Sequence, residues 1–205
     1  QYKAEAPLKV ISSAVHNAGI GWYDTFLNRS IAQDYDIYSV KEETYDFLVN
    51  NNFAPTSTVV MMTAVATKCA AIQTFTHAEL EIVIMVTAGV GNGVDVTKTY
   101  LRDEQPHVGT INTWVFINGK LTDEAFIQAM ITATEAKTKA LADQQVTDAF
   151  TGTIATSTAT DSLLIAATQH GPQMQYAGPI TDIGKLIGRG VFETTIAAIK
   201  KYKEM

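Results

Sequence analysis

Cysteine is nearly absent from this chain of 205 residues, with Cys69 as the single example, and tryptophan occurs twice and proline five times. One thiol forms no internal disulfide and cannot supply a four-cysteine zinc site, and a reducing cytoplasm is the simplest setting for it. No apolar run approaches the ~20 residues that span a bilayer. The longest, around Leu80 to Ala88, is interrupted by Glu81. Clustered cations are missing as well. The balance is 15 Lys and Arg against 21 Asp and Glu, net −6, which argues against nucleic acid as a partner. Lys200, Lys201 and Lys203 are the one local concentration, and they end a helical stretch whose dipole they complement. His16, His77, His107 and His170 show no i, i+4 pair, so no metal site is indicated. No secretory signal, interdomain linker or 20–50-residue repeat is recognisable. The expectation is one domain, residues 1–205, long enough to bury roughly 70% of its unfolded surface without a staple.

What is present is a succession of elements. Leu8 to Val15 reads as a strand, broken by a turn over His16 to Asp24. Ser39 and Glu42 have capping-box spacing, with a helix behind them to about Asn51. Thr58–Val65, Glu79–Ala88 and Thr110–Ile117 read as neighbouring strands of one sheet, and Ala70–Phe75 as a fourth, shorter one. Thr122 to Gln145 is the clearest helix, capped by Thr122, with Phe126, Ala129, Met130, Ala133, Ala136, Ala140 and Leu141 at helical spacing. Asp161–Thr168 reads as a buried strand and Thr181–Tyr202 as a final helix. Strand, long helix, strand places the Thr110 and Asp161 strands side by side or nearly so. The expected fold is α+β, with α/β as the alternative: a layered mixed sheet with a long crossover helix and a C-terminal helix packed on it.

Three segments carry candidate chemistry. The sequence AGVGNG (Ala88–Gly93) follows a strand. Val94 stands where a Rossmann fingerprint needs its third glycine, so the loop is either a tight turn or a source of exposed backbone N–H groups. GPITDIGKL (Gly178–Leu186) fails as a phosphate loop in both spacing and its final residue. TGTIATSTATDS (Thr151–Ser162) holds five threonines and two serines in twelve residues; such hydroxyls cap turns, line a polar pocket or supply a nucleophile. Glu135, Lys139 and Asp143 share a helix face, with Glu135 four residues before Lys139 as an ion pair requires. His170 closes a strand ahead of Gly171-Pro172, either as a solvated loop residue or as a ligand contact. Cys69 lies among apolar residues and reads as an inert core position.

Taken in order, TAGVGNG (Thr87–Gly93), GTIN (Gly109–Asn112), TEAK (Thr134–Lys137) with ALAD (Ala140–Asp143), ATSTATDS (Ala155–Ser162), and YAG with TDIGKLIG (Tyr176–Gly178, Thr181–Gly188) resemble the adenosylcobinamide amidohydrolase family. SSAVHNAG (Ser12–Gly19) is similar to the opening of that family's domain, and the resemblance spans about residues 12–191. The chain departs from the pattern at Ser157 and Ala159, which replace glycines of the threonine-rich segment, and at Ala18. The resemblance implies hydrolysis of the amide joining the aminopropanol arm to the corrin ring, giving adenosylcobyric acid for corrinoid salvage. The cobalt corrinoid is then substrate and no cofactor is required. Such chemistry needs a water or hydroxyl nucleophile, oxyanion donors and an acid for the leaving amine. Glu135 and Asp161 are the acid/base candidates and Lys137 the electrostatic one. Asn17, Gly89, Gly91, Asn92, Asn112, Thr156, Thr158, Thr160 and His170 are the candidates for gripping substrate. The competing readings are a non-catalytic corrinoid-binding protein and a hydrolase of another amide with a threonine nucleophile. The expected partner is a small-molecule corrinoid, with no nucleic acid and no membrane span; a homo-oligomer is compatible with the sequence.

Overall fold

A computed structural model describes residues 1–32, 35, 39–103 and 109–204; His107 lies outside them. The elements in chain order are β1 (Tyr2–Ser12), β2 (Gly19–Ser30), α1 (Val40–Asn50), β3 (Thr58–Thr63), β4 (Ala71–His77), β5 (Leu80–Ala88), β6 (Gly93–Val94), β7 (Ile111–Asn118), β8 (Lys120–Leu121), α2 (Asp123–Asp143), β9 (Ser157–Thr158), β10 (Ser162–Ala167), β11 (Gln173–Met174) and α3 (Asp182–Lys203). Seven strands form one mixed sheet in the order β3-β2-β1-β10-β7-β5-β4. The fold is an α+β arrangement built on this one large sheet, with the short pairs β6-β9 and β8-β11 beside it, as the element succession predicts. Among the described residues no helix is long and apolar enough to cross a membrane.

The crossover is present. β7 and β10 pair in parallel from Asn112↔Ser162 to Ala167↔Ile117 with α2 between them in sequence. Thr122 caps α2, its hydroxyl accepting from Ala125 N, and Thr181 caps α3 in the same way through Gly184 N. Three expectations need correction. The turn over His16–Asp24 is much shorter, because Gly19 already pairs with Ser12 and β2 runs on to Ser30. Glycines and an asparagine imitate a turn there, but β2 is held on both sides, by β1 and by β3. β3 is therefore not beside β5 and β7; it is the far edge. At α1, Ser39 is the N-cap but makes no side-chain capping bond.

Side chains of a strand alternate between faces, and here each face has its own core. α2 and α3 cover one, where Ile82, Ile84, Ile111, Val115 and Ile165 pack with Phe126, Ala129, Ile183 and Ile187. Val10, Phe26, Val59, Met61, Trp114 and Leu164 fill the other. Among the described residues no helix lies on that second face; the sheet covers it by curling. β2 and β3 return over β7 and β5, and Asn112 fastens the closure. Its amide donates to Asn28 Oδ1 (2.7 Å) and to the Met62 carbonyl (2.8 Å), while Asn28 donates to Thr87 Oγ1 (3.0 Å).

Candidate functional site

Because β5 runs antiparallel to β7 and β7 parallel to β10, the end of β5 and the starts of β7 and β10 meet at one edge. The glycine-rich loop, Gly109–Thr110 and the threonine-rich segment converge there. Most of their polar atoms bind one another. Gly89 N donates to the Thr110 carbonyl (3.0 Å). The Gly109 carbonyl accepts from Asn92 Nδ2 (3.0 Å), Thr158 Oγ1 (3.1 Å) and Thr160 Oγ1 (3.0 Å). Thr156 Oγ1 accepts from Val96 N (3.0 Å). The glycines permit close packing: a Cβ on Gly93 would stand 2.7 Å from the Thr147 carbonyl, and one on Gly89 2.6 Å from Val65 Cγ2. The loop is thus a tight structural turn first.

The exception is Asp161. Its Oδ1 accepts from Ile111 N (3.1 Å), Thr158 N (3.2 Å) and the Thr158 hydroxyl, while Oδ2 pairs with the Lys137 ammonium of α2. Both side chains are largely buried, at 11% and 16% exposure, and they line a cavity of about 250 Å³ between α2 and the starts of β7 and β10. Met130, Ala133 and Leu163 form its apolar wall, with Ser13, Thr113, Thr134 and Ser162 as hydroxyl-bearing residues. Thr113 was missed in the sequence. It is buried, and its Oγ1 has no hydrogen-bond partner among the described residues. The signal was available, because Thr113 interrupts the apolar alternation Ile111, Val115, Ile117 on the helix-covered face. A buried polar atom without a partner is uncommon and calls for a ligand, a water or a strained site.

The other sequence candidates divide. Lys137 and Asp161 come together, with Thr158 behind the carboxylate. Glu135 does not join them: it is exposed on α2, in a shallow depression with Met130, Ile131 and Thr134. Nor does it pair with Lys139, which bonds Asp143 instead. The helix edge facing the threonine-rich segment lends it an ammonium and a hydroxyl, Thr138 Oγ1 donating to the Thr156 carbonyl (3.1 Å), rather than a carboxylate. Asn17 sits in the β1–β2 turn at φ 58° and donates to the Pro55 and Thr58 carbonyls (both 2.8 Å), anchoring the approach to β3. Asn112 is fully buried in the sheet closure. A Cβ on Gly91 would face the Tyr202 hydroxyl at 3.1 Å. His170 follows the far end of β10, so the length of that strand, about 20 Å, separates it from Asp161.

Behind the threonine-rich segment lies a second charged cluster. Asp148 is wholly buried and accepts from the backbone N–H of Asp95 (2.9 Å), Phe150 (2.8 Å) and Thr151 (3.3 Å), with Arg102 as its ion-pair partner. Asp95 in turn accepts from Thr97 and Thr153. These bonds fix the backbone that leads through Thr156 and Thr158 to Asp161. Among the described residues no group of three or more His, Cys, Asp or Glu is arranged to hold a metal ion.

With this geometry in place, comparison with known proteins decides the family. The model of the adenosylcobinamide amidohydrolase family matches residues 2–205. The chain belongs to that family. A relative, an uncharacterised protein of Methanocaldococcus jannaschii, is 34% identical over 95 residues, which is 46% of this chain and 37% of the relative. The chain thus spans little more than a third of that relative's length. Within the adenosylcobinamide amidohydrolase pattern, the replacements of glycine are accommodated. Ser157 pairs with Val94 between β9 and β6, Ala159 is exposed, and neither has positive φ, so neither position demands glycine.

Proposed function

We propose that this member of the adenosylcobinamide amidohydrolase family hydrolyses the amide between the aminopropanol arm and the corrin ring, at the Lys137–Asp161 cavity. The observation carrying this reading is a buried carboxylate–ammonium pair on the wall of a cavity sized for a short side arm. With Oδ1 occupied by three donors, Oδ2 is the oxygen with lone-pair capacity for a water. Water attacks the amide carbonyl carbon as its proton passes to Asp161 Oδ2. The developing oxyanion is stabilised by the Lys137 ammonium and by a hydrogen bond from Thr113. The C–N bond then breaks as Asp161 returns the proton to the leaving nitrogen, giving adenosylcobyric acid and aminopropanol.

A surface for the macrocycle adjoins the cavity. Lys9 pairs across the strands with Trp22 and Ile11 with Ile20, so all four share a face. Ile11 packs toward the helix-side core and Lys9 bonds Asp123 of α2, which places Trp22 and Ile20 on the helix side, beside α2. Trp22, Ile20, Ile127 and Ile131 are 53–63% exposed, an apolar area of the kind that marks ligand contacts. A flat ring resting there would direct its arm beneath Thr134.

Incubation with adenosylcobinamide, followed by chromatography and mass, tests the reading: the expected result is loss of the aminopropanol arm. Trp22→Ala is expected to raise KM by about tenfold, a loss of ~1.4 kcal/mol of stacking, with kcat nearly unchanged. Corrinoid that binds but remains intact would favour the non-catalytic binding protein. That second reading draws on one observation, the saturation of Asp161 Oδ1 by structural donors.

A further inference from the structure

A larger cavity, about 480 Å³, lies on the face of the sheet opposite the Lys137–Asp161 site. The separation is fixed by β7, since Thr113 lines one cavity and its neighbour Trp114 the other. Tyr2, half-exposed, packs edge-on against Phe116 with ring centroids 4.9 Å apart, and Phe116 lies within 8° of parallel to the buried Trp114, its neighbour on this face. Phe26 stands nearly perpendicular to Trp114 and Phe116, at 87° and 82°, as a side wall. Met85 and Val83 continue the apolar lining, and the mouth opens past the exposed Ile72.

The polar side chains among the described lining residues, Gln1, Tyr2, Asn28 and Thr67, are uncharged. Asn28 lines the cavity, donates one N–H to Thr87 and accepts one bond from Asn112. One N–H and one lone pair of its amide remain, a donor–acceptor pair suited to the edge of a heteroaromatic base. Among the described residues no charged side chain lines the space, and a phosphate would enter it at a large desolvation cost.

We propose that this cavity is a second small-molecule site, separate from the hydrolytic one, which takes a neutral purine-sized base or nucleoside against the Tyr2 and Phe116 rings with its donor–acceptor edge at Asn28. It is independent of the corrinoid reading, and its test needs no turnover. Calorimetric titration of the full chain with adenosine is expected to show saturable binding, with adenosine monophosphate at least ~10-fold weaker because of its charge. Met85→Trp inside the cavity, and Ile72→Trp at its exposed mouth in case the first perturbs folding, should each weaken adenosine at least ~10-fold while leaving any corrinoid binding unchanged. Absence of adenosine binding to the unaltered chain, equal binding of the monophosphate, or indifference to both substitutions would overturn the proposal. Adenosine and the adenosyl group of a corrinoid share this chemistry. Displacement of adenosine by adenosylcobinamide would show that the cavity serves the corrinoid and would overturn its separateness.

Discussion

Asp161→Asn is expected to lower turnover of the corrinoid amide at least ~100-fold, the usual scale for loss of a general base. Asparagine keeps the size of the side chain and can still accept from Ile111 N and Thr158 N through one oxygen, so the junction of β7 and β10 should survive. What disappears is the charge that holds Lys137 and the oxygen that, in the proposed mechanism, takes a proton from water. Substrate affinity should change far less than kcat, because the proposed seat of the ring is the apolar surface around Trp22 and not Asp161. Steady-state kinetics alongside a thermal melt separates the two roles. A fall in kcat at unchanged melting temperature supports the catalytic assignment. Near-normal kcat in Asp161→Asn removes Asp161 from the mechanism, and a parallel collapse of stability would make it a structural brace.

The largest effect on stability is expected at Asp148. Asp148→Ala strips the acceptor from three backbone N–H groups and from Arg102 in a place closed to water. Unpaired buried donors and a broken buried ion pair together cost about 3 kcal/mol or more, which for a chain of this length lowers the melting temperature by roughly 6–12 °C. Asp148→Asn, which retains an acceptor, should fall between that variant and the unaltered chain. The pH dependence carries a sign. Burial is the largest single influence on Asp148 and pushes its carboxyl up, but the backbone N–H groups of Asp95, Phe150 and Thr151, with Arg102, together outweigh it. The net pKa lies below the usual value of 3.8. Glu43 is lowered chiefly by its bonds to Arg29, Asp24 by Lys3, and Asp95 by Thr153. Carboxyls lowered on folding contribute stability that is fully present above their unfolded pKa and is lost as pH falls through the folded one. Urea midpoints should therefore hold from neutrality to about pH 5 and fall below it, with a shallower decline in Asp148→Ala. An acid decline as steep in the variant as in the unaltered chain would refute the role given to Asp148.

Legibility in the sequence followed the range of the interactions. Elements set by their own periodicity or caps were readable: α2 behind Thr122, α3 behind Thr181, and the β7–α2–β10 crossover. β2 was not. Gly19, Gly21 and Asp24 carry turn chemistry, and only pairing with β1 and β3 overrides it. The curl that closes the second core depends on Asn112 meeting Asn28, 84 positions earlier, which no local pattern encodes. At the site, Lys137 and Asp161 were identifiable as chemical types, but their pairing across 24 positions emerges only when the crossover is folded. Glu135 was the other acid/base candidate, and it lies in the same TEAK segment, two residues from Lys137. Two steps along a helix turn a side chain about 200° away, and that rotation puts Glu135 on the outer surface.

The most direct test of the hydrolytic site is a crystal structure of Asp161→Asn soaked with adenosylcobinamide. The account predicts the aminopropanol arm between α2 and β10, with the scissile amide carbonyl within hydrogen-bond reach of Lys137 Nζ, about 3 Å, and the corrin ring over Trp22 and Ile131. A corrinoid seated on the opposite face, with its arm remote from Lys137, would contradict it.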